Sequence, residues 1–226
     1  MNIESAISTT RSQIQRLELQ YQRQPGSVEL LAVSKKKPIS DIRIAIAAGQ
    51  RAFGENYVSE AIEKIREIDD PSITWHFIGS IQSRKTAHIA EHFHWAHGVD
   101  RIKIATRLSE QRPADLPPLE ICLQVNLDNE SSKSGVAPNE LAELADQCAM
   151  LKGVRLRGLM AIPAPRENLR EQREVFEKLH ACLRELQQAH TSMDTLSMGM
   201  SADLEAAIAE GATIVRIGTA IFGARD

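Results

Sequence analysis

The chain has 226 residues, 42% of them hydrophobic and 25% charged, with a net charge of −3; this is an ordinary globular composition, long enough for one large domain or two small ones. The slightly acidic balance argues against nucleic acid or an anionic membrane surface as a partner, no apolar run approaches the roughly 18 residues of a membrane span, and the opening Met1-Asn2-Ile3-Glu4-Ser5 lacks the apolar core of a signal peptide. Cys122, Cys148 and Cys182 lie far apart and form no C-x-x-C pair, which reads as reduced thiols in a cytoplasmic protein.

Residues 2–24 place Ile3, Ile7, Ile14, Leu17 and Tyr21 along one stripe, the spacing of a helix, and Pro25-Gly26 ends it. A repeating pattern then begins. A strand over 28–34 leads to a helix over 39–48 that opens after Pro38 and closes at Gly49. Strand and helix alternate from there: 51–54 with 57–68, 73–78 with 82–91, and 93–97 with 101–111. After a turn from Pro113 to Pro118 comes a long strand, 119–126, then a helix opened by Pro138 with Leu141, Leu144, Ala145 and Cys148 on one face. Strand 154–161 precedes Pro163, Pro165 and a long helix near 168–189 striped by Phe176, Leu179, Leu183 and Leu186. Strand 194–198, helix 201–210 and strand 213–218 complete the run.

Strands alternating with helices call for a parallel sheet. Eight such units in this length favour a closed (β/α)8 TIM barrel over an open doubly wound sheet. The expected organisation is α/β, one barrel domain over 1–226, with 1–26 as an extra N-terminal helix and turn and 27–226 as the barrel. Neither G-x-G-x-x-G nor G-x-x-x-x-G-K occurs, which weakens a nucleotide-binding alternative.

In such barrels the chemistry sits at the C-terminal ends of the strands. The first strand, Leu30-Leu31-Ala32-Val33, runs straight into Ser34-Lys35-Lys36-Lys37-Pro38. An amine on a rigid strand end, with apolar surroundings on one side and cations beside it, meets the conditions that make a lysine nucleophilic toward a carbonyl; the plainer alternative is a solvated basic strand end. The ends of the last two strands resemble a phosphate site. Gly199 and Gly218 permit close backbone approach, Ser201 stands where a helix N-cap is expected, and Thr219 adds a hydroxyl. Against this, Asp203 and Glu205 in the same helix would repel an anion, and Ser201 has the alternative of being only a cap. Arg216 interrupts the otherwise apolar Thr213-Ile214-Val215-Arg216-Ile217-Gly218. A guanidinium buried there needs acceptors, either a barrel carboxylate such as Glu55 or a polar ligand atom in the mouth. His88-Ile89-Ala90-Glu91-His92 matches the H-x-x-E-H pattern of a zinc peptidase, but it ends a helix away from the expected rim, and no metal site is expected.

Together these residues resemble the pyridoxal phosphate homeostasis family, the YggS/PROSC-type proteins. The resemblance covers nearly the whole chain. It is carried by L-L-A-V-S-K at 30–35, F-G-E-N-Y at 53–57, W-H-F-I-G at 75–79, N-x-x-S-K-S-G at 129–135, R-G-L-M-A-I-P at 157–163, L-S-M-G-M-S at 196–201 and V-R-I-G-T-A-I-F-G at 215–223. It implies a single barrel like the N-terminal domain of alanine racemase, with pyridoxal 5′-phosphate (PLP) as cofactor. It also implies Lys35, and not Lys36 or Lys37, as the lysine of the internal aldimine. Side-chain alternation puts Lys35 and Lys37 on one face and leaves that choice open. Carried over by motif, Ser201, Gly218 and Thr219 hold the phosphate, Arg216 faces the pyridine nitrogen, and Asn56 and Met200 lie near the cofactor. The loop from Gly79 to Lys85 departs from the family pattern, with Ile81 and Arg84 in place of leucine and asparagine.

An arginine cannot accept the ring proton, so the nitrogen stays neutral and the ring is a weak electron sink. A racemase with the same arginine uses a tyrosine base from a partner subunit's second domain, and this chain ends before such a domain; its tyrosines are Tyr21 and Tyr57. The resemblance therefore implies a PLP-binding protein of intracellular vitamin B6 homeostasis, not an enzyme, that holds its cofactor reversibly. The alternatives are a PLP-dependent amino-acid racemase and a cofactor-free Schiff-base aldolase. Expected partners are PLP and PLP-dependent apo-enzymes, with no nucleic acid and no membrane, and the chain is expected to be a monomer. Lys133, in the loop 129–135, has a ligand or partner contact as one reading and plain surface charge as the other.

Overall fold

The computed structural model describes residues 2–128 and 134–224, so Lys133 lies outside the described residues. Eight strands form a closed barrel in sequence order: β1 (Glu29–Val33), β2 (Ala52–Glu55), β3 (Thr74–Phe77), β4 (Trp95–Val99), β5 (Leu119–Gln124), β6 (Val154–Met160), β7 (Thr195–Ser197) and β8 (Ile214–Ile217). Each pairs in parallel with the next, and β8 closes on β1 with Leu31 opposite Arg216 and Ala32 opposite Ile217. The helices are α1 (Ile3–Gln20), α2 (Ile39–Ala47), α3 (Val58–Ile68), α4 (Thr86–His92), α5 (Ile102–Glu110), α6 (Leu141–Ala149), α7 (Leu169–Gln187), α8 (Leu204–Ala209) and α9 (Thr219–Phe222).

α1 precedes the barrel and is built to clasp it. Asn2 caps its start, Oδ1 accepting from Ser5 N at 3.1 Å. Its far end is held by Glu18, a buried carboxylate that accepts the backbone N–H groups of Gly26 at 3.0 Å and Val28 at 2.8 Å. Two charge-assisted bonds thus fix the turn that feeds β1. Arg23 donates to the carbonyls of Ile208 and Ala212, tying the same turn to the segment before β8.

Two apolar clusters result. The larger lies between strands and helices and takes the helix faces the sequence predicts, Ile7, Ile14 and Leu17 from α1 and Phe176, Leu179 and Leu183 from α7. The smaller fills the barrel interior with Leu31, Ala52, Ile78 and Ile214, against which Val33 packs. Strands of a barrel bury both faces, so their alternation cannot be read from hydropathy.

Several boundaries differ from expectation, among them the start of α4, which follows a 3₁₀ turn at Ser83–Lys85. β4 begins at Trp95 because Phe93 and His94 belong to its entry turn, where Phe93 is buried and the His94 ring accepts from Trp75 N. Pro138 opens a 3₁₀ turn, Pro138–Glu140, before α6. The helix expected at 201 begins at Leu204, and a short α9 follows β8. Cys122, Cys148 and Cys182 are all unpaired. Among the described residues no helix is long and apolar enough to cross a membrane.

Candidate functional site

Side chains of an extended strand share a face at every second residue. Leu31 and Val33 point into the barrel, so Lys35 continues that face as the chain leaves the wall. On β8 the same rule takes Ile214, in the interior, to Arg216 and then Gly218. These two strands are neighbours, and their exits converge on a cavity of about 300 Å³ at the C-terminal mouth, at the lower end of the range for small-molecule sites. All seven residues singled out from the sequence line it: Lys35 from β1, Asn56 after β2, Met200 and Ser201 after β7, and Arg216, Gly218 and Thr219 from β8 and its exit. Val33, Ile78 and Ile162 supply apolar wall.

The three lysines are sorted by their surroundings. Lys37 Nζ donates to the Ala224 carbonyl at 2.9 Å. Lys36 takes a left-handed φ of 59°, donates its backbone N–H to Glu60 Oε1 at 2.6 Å and places its ammonium 5.8 Å from the Tyr57 ring. Lys35 alone of the three lines the cavity with Arg216.

Behind Lys35 stands a buried ion cluster. Lys64 reaches from α3 to Glu55 at 2.8 Å and Glu60 at 2.6 Å and donates to the Ser34 carbonyl at 2.8 Å. Ser34 donates its hydroxyl to Glu55 at 2.7 Å. Burial pushes the Glu55 carboxyl up, and the Lys64 charge opposes it. The cluster grips the residues on either side of Lys35, Ser34 by its side chain and carbonyl and Lys36 by its N–H. The sequence reading missed Lys64; its only signal is the Glu60–Lys64 spacing on a predicted helix.

Arg216 is 5% exposed. Its Nη1 donates to the carbonyl of Ser197 at 2.5 Å and to the Ser197 hydroxyl at 2.8 Å, and its Nη2 to the Ala161 carbonyl at 2.9 Å. The expected alternative of an ion pair with Glu55 does not form: Glu55 Oε1 bonds Lys64 and Ser34, and its Oε2 is buried with no hydrogen-bond partner among the described residues. Burial pulls the guanidinium down to about 10, with Asp203 and Cys122 acting the other way, which leaves it charged at neutral pH. Ser201 is not the cap the sequence suggested. It lies in the turn before α8, whose N-cap is Asp203, and Asp203 turns its carboxylate to Met200 N at 2.6 Å.

The two glycines are packed closely against the protein itself. A Cβ on Gly199, where φ is +92°, would sit 2.4 Å from Ala207 Cβ, and one on Gly218 would sit 3.2 Å from the Val33 carbonyl. Asn56 presents a buried Oδ1 with no hydrogen-bond partner among the described residues. His88, Glu91 and His92 do gather, with ligand atoms within 4.8 Å of one another, but on α4 at the surface, where His88 and Glu91 are exposed and none of the three lines the cavity.

The cavity fits PLP. It offers an amine for the aldehyde, a buried cation without a carboxylate partner, two hydroxyls beside glycine backbone for a phosphate, an unsatisfied amide oxygen for a polar ring substituent, and apolar wall for the ring faces.

The chain is also similar to known proteins. A family model described as alanine racemase, N-terminal domain, matches residues 9–226. A pyridoxal phosphate homeostasis protein of Pseudomonas aeruginosa is 60% identical over 204 residues, covering 90% of this chain and 87% of its own. One from Escherichia coli is 52% identical over 223 residues, covering 97% and 95%. The structure of PipY from Synechococcus elongatus with PLP bound superposes with a TM-score of 0.86 at 40% identity, over 98% of this chain and 100% of that one.

Proposed function

This chain belongs to the pyridoxal phosphate homeostasis protein family, and from that premise we propose that it holds PLP at the barrel mouth on Lys35 and takes part in the supply of that cofactor, without turning over a substrate of its own. One observation carries the reading. The cavity wall combines a lysine with a buried arginine that has only neutral acceptors, and among the described residues that wall holds no carboxylate, histidine or tyrosine to act as acid or base.

When bound, PLP supplies an aldehyde that condenses reversibly with amines and a pyridine ring that draws electrons from the attached carbon. Lys35, its position fixed by the ion cluster that holds Ser34 and Lys36, would hold PLP through its aldehyde, water being released. Ser201 and Thr219 would donate hydroxyls to the phosphate. Arg216 would donate toward the ring nitrogen; a guanidinium has no lone pair and gives up no proton near neutral pH, so it would keep that nitrogen unprotonated and the ring a weak electron sink. Val33 and Ile162 would offer apolar surface to the ring. Met200, 39% exposed, and Ile162, 40% exposed, leave apolar surface at the opening, which favours PLP-dependent apo-enzymes as recipients docking there. The proposal takes the protein as a monomer. The unpaired cysteines support the cytoplasm as its compartment.

Racemisation requires groups on both sides of the α-carbon to remove and return a proton, and neither tyrosine meets that need. Tyr21 bonds Glu205 at 2.8 Å on the outside of the barrel, and Tyr57, half-exposed, lies under Lys36. The test is direct. The purified protein should absorb in the visible, and borohydride should fix PLP to one lysine, mapped to Lys35. A Lys35→Ala protein that retains a reducible adduct at equal occupancy overturns the lysine assignment. Loss of α-deuterium from added alanine at a rate like that of dedicated racemases overturns the non-enzymatic reading.

A further inference from the structure

The bonds that hold Arg216 do not stop at Ser197. The Ser197 hydroxyl also meets His97 Nδ1 at 2.8 Å, and His97 Nε2 meets His76 Nδ1 at 3.0 Å. The chain therefore crosses the barrel interior from β8 and β7 to β4 and β3. Ser197, His97 and His76 are fully buried. His76 lies flat on Trp95, ring centroids 5.4 Å apart and planes 6° from parallel.

A guanidinium only donates, so Arg216 uses one lone pair of the Ser197 oxygen. A serine hydroxyl has a second lone pair and one proton, and the arrangement that satisfies that proton gives it to His97 Nδ1, the other polar side-chain atom bonded to this oxygen. In that arrangement His97 Nδ1 accepts, its proton sits on Nε2 and is donated to His76 Nδ1. His76 in turn carries its proton on Nε2, the atom that is buried without a partner among the described residues. An unsatisfied buried N–H at the far end is a cost that a leucine or phenylalanine at position 76 would avoid. It is what remains when a chain of bonds is required to end as an acceptor at Arg216.

We propose that His97, backed by His76, is the positioning residue of this site. It binds the serine proton, keeps the Ser197 oxygen turned toward Arg216 and so fixes where the guanidinium stands in the cavity. The inference rests on the reading of that cavity as the PLP site. Without His97 the serine hydroxyl has no fixed direction, and the bond it accepts from Arg216 weakens while those to the Ser197 and Ala161 carbonyls remain. The guanidinium then shifts within its two remaining bonds, and the electronic environment of the bound cofactor changes although no residue touching it has been altered. His97→Gln, whose side chain carries both an acceptor and a donor, preserves the direction of the chain; His97→Leu does not.

The experiment has two arms. In the first, wild-type, His97→Gln and His97→Leu proteins are loaded with PLP, and the absorbance maximum of the bound cofactor and its dissociation constant are measured on folded protein. His97→Leu should shift the maximum and weaken binding about tenfold, the loss of one hydrogen bond to a charged group, while His97→Gln restores most of both. A folded His97→Leu protein with the wild-type spectrum and affinity overturns the proposal. In the second, histidine-labelled wild-type protein without PLP is examined by nitrogen NMR. His76 and His97 should both appear as neutral rings protonated on Nε2, and a His97 ring protonated on Nδ1 overturns the proposal even where His97→Leu fails to fold. Wild-type protein that binds no PLP would instead remove the premise, and it leaves the NMR arm to decide the bond direction.

Discussion

Lys64 reaches from α3 to the end of β1 and meets two carboxylates, Glu55 and Glu60, within 2.8 Å. Arg216, on β8, is equally buried, and its acceptors among the described residues are two carbonyls and a hydroxyl. Arg216 lines the cavity with Lys35, and Lys64 stands behind it. Lys64 is paired directly with carboxylates and holds the backbone. Arg216 has no carboxylate in contact among the described residues and feels Asp203 only through space, which favours an anionic ligand beside it. The difference separates the frame of the site from its working surface, and it can be broken experimentally from either side.

The largest effect should come from the frame. Lys64→Met strands the Glu55 carboxylate in the interior and should cost about 3–5 kcal/mol in urea unfolding; Lys64→Met with Glu55→Gln should recover most of it. Arg216→Met, which removes a cation that has no carboxylate to strand, should cost the PLP-free protein less than about half as much. Equal losses would erase the distinction.

Ligand-linked stability sharpens the other half. PLP at about 100 times its dissociation constant should add about 2.7 kcal/mol to the wild type. That increment should shrink severely in Arg216→Met and persist in Lys64→Met with Glu55→Gln, as read by melts with and without the cofactor.

Acid provides a third probe. Burial, with a nearby histidine second, pushes His76 down to about 3, and burial, then His76 and Arg216, pushes His97 well below its ordinary range. Both rings are therefore neutral in the fold, whereas in the unfolded chain they take up protons near pH 6.5. The stability they contribute is complete above about pH 6.5 and is lost as pH falls toward 3. Between pH 6 and 4.5 the stability of His76→Phe with His97→Gln should fall less steeply than that of the wild type, by about 1.4 kcal/mol per pH unit for each histidine removed. Parallel curves would mean that the rings are not held neutral.

The smallest effect is expected at the phosphate. Ser201→Ala with Thr219→Val should weaken PLP binding roughly tenfold and leave the stability of the PLP-free protein nearly unchanged, because both side chains are exposed at the mouth. Unchanged affinity by titration would remove these hydroxyls from the site.

Most of the barrel was legible in the sequence; of the seven cavity residues, Asn56, Met200 and the choice of Lys35 over its neighbours rested on the family motifs alone. The helices carry their 3.6-residue stripes, the strands their apolar runs, and the proline and glycine punctuation marks the turns. Lys35 and Arg216 stood out as charges at the end of, or inside, apolar strands. The start of α8 was misjudged because Ser201 has the chemistry of a cap, whereas the turn through Asp203 uses that carboxylate on Met200 N. Lys64 carries no signal in the sequence beyond its i, i+4 spacing from Glu60.

What the sequence alone determined is the order of elements and the residues each strand delivers to the rim, because hydropathy period and turn residues act over a few positions. Which of those residues meet was decided only by closure of the barrel. Lys64 and Ser34 are 30 positions apart and His97 and Ser197 are 100 apart, and no local pattern links them. Both faces of a barrel strand are buried, so hydropathy does not reveal which side looks inward. The register set by β8 closing on β1 turns Arg216 and Lys35 into one cavity and lines Ser197, His97 and His76 up behind it.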